Sequence, residues 1–71
     1  MNDTLTIQVN GDTREVPQGL NVTELLEHLG LIANRLAIER NFQILPRREW
    51  GTTLVSSGDK LEIVHLVGGG G

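Results

Sequence analysis

The chain has 71 residues, nine acidic against six basic side chains and a net charge of −3. That length allows one small domain, burying roughly 60% of its unfolded surface, and leaves no room for a second. It has no Cys, hence no disulfide or thiolate metal site, and it lacks the clustered Lys and Arg that nucleic-acid binding needs to neutralise phosphates.

The opening MNDTLTIQVNG has neither the basic n-region nor the apolar h-region of a secretory signal. No run approaches the roughly 20 apolar residues of a membrane span, so a cytoplasmic location without membrane attachment is expected. Leu5, Ile7 and Val9 alternate with Thr6 and Gln8, the period of a half-buried strand. Asn10-Gly11 supplies the two positive-φ positions of a type I′ turn. Asp12 to Val16 then returns as a second strand, stopped by Pro17 and Gly19.

Residues 20–30, LNVTELLEHLG, predict a helix of about three turns with both ends marked. Asn21 is an N-cap with Glu24 three residues on, a capping-box pair, and Leu20 can staple onto Leu25. Val22, Leu25, Leu26 and Leu29 make one apolar stripe, with His28 off it toward solvent and Gly30 as the C′ residue.

Arg35 to Arg40 reads as a third strand, with Leu36 and Ile38 on one face and Ala37 and Glu39 on the other. QILP is a short edge strand ended by Pro46, and one tight helical turn is expected near Arg47 to Trp50. Arg47-Arg48 reads as part of a solvated turn rather than a binding patch. Ser57-Gly58-Asp59 turns into a last strand from Lys60 to about Leu66, with Leu61 and Ile63 inward. Phe42 and Trp50, the two aromatics, are expected to form a small cluster under the long connection, with a partner anchor as the alternative.

The order β-β-α-β-β-β needs one helix to cover one face of one sheet. The expected class is α+β, a β-grasp or ubiquitin-like arrangement, with a mixed sheet of four to five strands and one main helix across it. The expected division is a domain over 1–67 and a flexible glycine tail, Gly68 to Gly71.

No conventional active site can be found. His28 and His65 are isolated, no carboxylates stand at acid–base or metal-ligand spacing, and no helix follows the glycines to make a phosphate loop. No metal and no bound cofactor are expected. The tail leaves two readings. It is either a flexible connector, as glycine runs often are, or a carrier of the terminal carboxylate of Gly71. Four extended residues span at most about 13–14 Å, and without Cβ atoms they pass through a slot too narrow for other chains. Ordering them takes roughly 4–8 kcal/mol, so a docking face on the domain must supply affinity. Val64, pointing opposite to Leu61 and Ile63, can join Ala37 on such a face, with Leu66 nearby.

The runs IQVNGDTREVPQGLNVTELLEHLGL, ILPRREW and GDKLEIVHLVGGGG together resemble the ThiS sulfur carriers of thiamine-thiazole biosynthesis, over nearly the whole chain. The most specific pieces are Pro46-Arg47 with Trp50, and Gly58-Asp59 followed by Leu61 to Val64 and the final glycines. The resemblance implies a β-grasp protein that is a co-substrate rather than an enzyme. A ThiF-type adenylating enzyme would spend ATP to make an acyl-adenylate at Gly71. Sulfur derived from a cysteine desulfurase would then give a Gly71 thiocarboxylate, and ThiG, the thiazole synthase, would take that sulfur. Gly70 would complete the terminal Gly-Gly.

The sequence departs from the family pattern at three places: four glycines stand at the end, Leu66 stands where alanine is frequent, and Arg40-Asn41-Phe42 replaces an Asn-Gly turn. The last exchange is expected to leave function unchanged. Carriers that serve molybdopterin or tRNA thiolation, and ubiquitin-like interaction or modifier modules, are the alternatives. MoaD tails more often carry prolines in the last strand; here Val64 to Val67 can go on pairing and present His65, Leu66 and Val67 to thiazole synthase.

Overall fold

The computed structural model describes residues 3–32 and 34–66. β1 (Thr4–Val9) and β2 (Asp12–Pro17) form the expected hairpin, with Ile7 and Val9 buried and Thr6 and Gln8 exposed. Val9 faces Asp12 in register, and Asn10 (φ 51°) and Gly11 (φ 85°) make the two-residue turn. Both angles are the positive ones that a type I′ turn requires. Pro17 does not stop β2 from outside but is its last residue, opposite Thr4. That is tolerable because β2 is an edge strand, where a missing N–H breaks no central ladder.

The helix α1 runs Val22–His28, two turns rather than the three expected. The difference lies in the caps. Glu24 N–H donates to Asn21 Oδ1 (2.7 Å), and Asn21 N–H donates to Glu24 Oε1 (3.0 Å), so Asn21 is outside the helix proper. At the other end Leu31 N–H donates to Leu26 O (2.9 Å) and Gly30 N–H to Glu27 O (3.0 Å), with Gly30 at φ 76°. This pair of bonds is a Schellman cap, and it ends the helix a residue before Leu29 has a full place in the stripe. Leu29 is accordingly half-buried, while Val22, Leu25 and Leu26 are fully enclosed.

β3 (Leu36–Arg40), β4 (Gln43–Ile44), a 3₁₀ turn (Arg47–Glu49) and β5 (Lys60–His65) complete the chain. The sheet order is β2-β1-β5-β3-β4, with β1 and β5 parallel and the other neighbours antiparallel. One helix over a mixed five-stranded sheet is the β-grasp arrangement expected. Ile7, Val16, Ile38, Leu61 and Ile63 from the sheet meet Val22, Leu25 and Leu26 from the helix in one core. No described helix is long and apolar enough to cross a membrane.

The long connection after β4 closes one end of this core. Trp50 is 3% exposed and donates its indole N–H to Leu45 O (3.0 Å), with the Arg47 guanidinium 4.6 Å from its ring centre. Val22 N–H, one of the donors a helix start leaves unpaired, bonds Trp50 O (3.1 Å) and Thr53 O (3.0 Å). Trp50 thus takes its expected place, but Phe42 does not join it. Phe42 sits in the β3–β4 turn at φ 70° and is 80% exposed, because the turn carries it past the end of the core.

Candidate functional site

The strand that leads toward the glycines lies in the middle of the sheet, and polar side chains hold it in place from both sides. β1 pairs with β5 only at Gln8–Lys60 and Val9–Leu61, because the chain then turns away. The Asn10 carboxamide continues the ladder: its Nδ2 donates to Ile63 O (3.1 Å) and its Oδ1 accepts from Ile63 N–H (2.7 Å). On the other side Asn41 Oδ1 accepts from Lys60 N–H (2.9 Å), and Asn41 N–H donates to Lys60 O (2.8 Å).

Asp59, the residue before β5, is buried, so its charge must be fully partnered. Arg40 Nε donates to its Oδ2 (3.0 Å), as does Ser56 N–H (2.8 Å), and Asn41 Nδ2 donates to Oδ1 (3.1 Å). The start of β5 is therefore fixed by the Asp59 carboxylate and Asn41, and its middle by Asn10.

The face of the sheet away from α1 carries Ala37 and Val64 of the predicted docking residues. Ala37 and Val64 are register partners on β3 and β5; Ala37 is half-buried and Val64 is 55% exposed. His65 is exposed but is the register partner of buried Leu36, so alternation sets it on the helix side of β5, apart from Ala37 and Val64. Leu66, 52% exposed, donates its N–H to Arg35 O (2.7 Å). Val67 and Gly68, Gly69, Gly70 and Gly71 lie outside the described residues.

Beside Ala37 and Val64 the face opens into a hollow of about 400 Å³ that Ile44, Glu39 and Glu62 also line. Ile44 is 76% exposed and opposes Glu39, which in turn opposes Glu62 across the β3–β5 pairing. A smaller hollow of about 220 Å³ adjoins it through Glu62 and reaches Phe42 and Lys60, whose ammonium stands 5.5 Å from the Phe42 ring centre. Sequence reasoning misses Ile44 and Glu62 as members of this face. Alternation places Glu39 on the side of Ala37, but only the β4 register brings Ile44 alongside. Among the described residues no group of three or more His, Asp or Glu is placed to hold a metal ion.

Comparison with known proteins adds the following. The ThiS family model matches residues 7–70. A thiazole synthase of Paramagnetospirillum magneticum is 38% identical over 66 residues, covering 93% of this chain. The chain spans only 20% of that larger protein's length. The sulfur carrier protein ThiS of Escherichia coli is 32% identical over 66 residues, 93% of this chain and 100% of that protein. The crystal structure of the thiamine biosynthesis protein ThiS from Geobacter metallireducens superposes with a TM-score of 0.82 at 35% identity, covering 92% of this chain and 99% of that one.

Proposed function

Because the chain belongs to the ThiS family, we propose that it is a sulfur carrier in the making of the thiamine thiazole, with the Gly71 carboxylate as the group that carries the sulfur. The observation that carries this reading is the match along 93% of the chain to a sulfur carrier that it covers completely.

The chemistry follows from the group itself. An α-carboxyl group titrates near pH ~3.5, so at neutral pH it is an anion and a poor electrophile. An adenylating enzyme of the ThiF type transfers AMP from ATP to the carboxylate oxygen, releasing pyrophosphate and making the carbonyl carbon attackable. A persulfide sulfur derived from a cysteine desulfurase attacks that carbon and AMP leaves. A thiol then reduces the resulting acyl disulfide, freeing the thiocarboxylate for the thiazole synthase. The chain is a co-substrate in each step and catalyses none. Its own part is to dock through the Ala37–Val64 face and to deliver Gly71 where water is excluded.

Intact-mass analysis tests this. After incubation with ATP, the adenylating enzyme and a persulfide source, the mass should rise by the difference between sulfur and oxygen, located at Gly71 by fragmentation. Sulfur on any other residue, or thiazole formation by a chain lacking Gly70 and Gly71, would refute the assignment.

A further inference from the structure

We propose that Glu39 and Glu62 form a cation-recognition element on the docking face, taking an arginine or lysine side chain of the thiazole synthase while Phe42, Ile44 and Val64 seat apolar side chains around it. The inference rests on the sulfur-carrier reading and adds the chemistry of the partner's surface.

The first observation is an arrangement that works against the fold. Glu39 and Glu62 are direct cross-strand partners on the exposed face, where Cβ atoms are about 4.5–5.5 Å apart and like charges repel. Among the described residues neither has an ion-pair partner, since the one salt bridge is Arg40 with Asp59. Lys60, two residues from Glu62, has its ammonium over Phe42 instead. Both carboxylates line a hollow whose other walls are mainly apolar. A cation entering there meets two uncompensated acceptors side by side.

The second observation is the apolar surface around that pair. Phe42, Ile44 and Val64 are all exposed, and with Glu39 and Glu62 they line two adjoining hollows that share Glu62. Such a patch, rimmed by charge, is the usual form of a protein-binding surface. Phe42 is moreover a bulky residue at φ 70°, where Gly would sit without strain, and its ring buries little. Local strain at an exposed ring, offset only by the Lys60 ammonium over it, fits a residue held for contact with something else.

Charge decides the occupant. A second copy placed face to face would bring four carboxylates together, whereas a cationic partner neutralises the pair. Two thiazole synthases include a segment like this chain, which favours that enzyme as the occupant.

Calorimetric titration against the thiazole synthase of the same organism tests the proposal, with thermal unfolding recorded for each variant. For Glu39→Gln/Glu62→Gln the dissociation constant should rise about tenfold or more, and its salt dependence should flatten. The unfolding midpoint should stay or rise, because a repulsion is removed. Phe42→Gly should likewise weaken binding without lowering the midpoint. An unchanged dissociation constant for the Gln pair, while the wild type binds and supports thiazole formation, overturns this proposal and leaves the sulfur-carrier reading intact. No binding of the wild type to the synthase overturns both. A wild-type dimer that Phe42→Gly disperses and the Gln pair tightens would give the face to a second copy and overturn the proposal as well.

Discussion

Replacing Asn10 by Gly isolates the clamp on β5. Gly takes φ 51° without strain, so the turn survives, and the change removes the two bonds from the carboxamide to Ile63 N–H and O. Each is part-buried, and a net contribution of about 0.5–1.5 kcal/mol per bond gives about 1–3 kcal/mol for the pair. Gly also adds about 0.4–1 kcal/mol of unfolded-state entropy, for a total near 2–4 kcal/mol. Against a stability of about 4–11 kcal/mol for a domain of this length, that is a large fraction. At about 4–8 °C per kcal/mol, the midpoint should fall by roughly 8–32 °C.

Urea denaturation measures the total, and amide hydrogen exchange at Ile63 locates it. Exchange there should speed up more than at Ile38, which pairs with Ile63 from the other side. Asn10→Asp keeps an acceptor for Ile63 N–H but sets a carboxylate against Ile63 O, so it should be no better than Gly. A loss under about 0.5 kcal/mol for Asn10→Gly, the low end for even one bond, or unchanged exchange at Ile63, would refute the idea that a side chain replaces the missing part of the ladder.

Leu26→Ala empties a fully enclosed site beneath the helix and should cost about 2–5 kcal/mol in urea denaturation. Asp59→Ala leaves the Arg40 guanidinium, Asn41 and Ser56 N–H without their acceptor. It should cost about 2–4 kcal/mol, read by the same assay, while Asp59→Ser should recover only the bond from Ser56 N–H. Deleting Gly70 and Gly71 should leave the unfolding midpoint within about 1–2 °C, since the deletion removes no apolar side chain, yet abolish thiocarboxylate formation by intact mass.

Local rules account for most of what the sequence reveals of the fold. The Asn10-Gly11 turn, the Asn21–Glu24 capping box and the alternation of β1 and β3 are each set by residues a few positions apart, and each is found in place. The helix reads a turn too long because the span 20–30 takes in its own caps; Asn21 and Gly30 stand at the capping positions expected of them, which leaves only Val22–His28 helical. Phe42 misleads for another reason: an aromatic in a sequence suggests a core, and although Arg40-Asn41-Phe42 reads as a turn, that the turn carries the ring away from Trp50 shows only once Arg40 and Gln43 are known to pair. The candidate face is legible at Ala37 and Val64, whose inward neighbours are apolar. Its Glu39–Glu62–Ile44 row depends on the register of three strands, which no local pattern encodes.

The position of β5 connects these features to the proposed delivery of Gly71. A strand at the edge of the sheet would be hydrogen-bonded on one side, and a partner drawing on its end could peel it away. β5 is bonded to β1 and β3, and Asn10 and Asn41 extend that bonding beyond the ladders. Force applied beyond His65 therefore acts on the whole sheet rather than on one strand. The same strand supplies Glu62 and Val64 to the exposed face, so docking and delivery share one rigid element. From Leu66, the five residues to Gly71 reach at most about 17–18 Å when fully extended. A partner that binds the face must then hold its reactive centre within that radius. On the proposed reading, so short a tether would keep the Gly71 carboxylate at high effective concentration once the face is engaged. Affinity can reside in the face and reactivity in the glycines, which leaves the tail free of side chains that would hinder its entry.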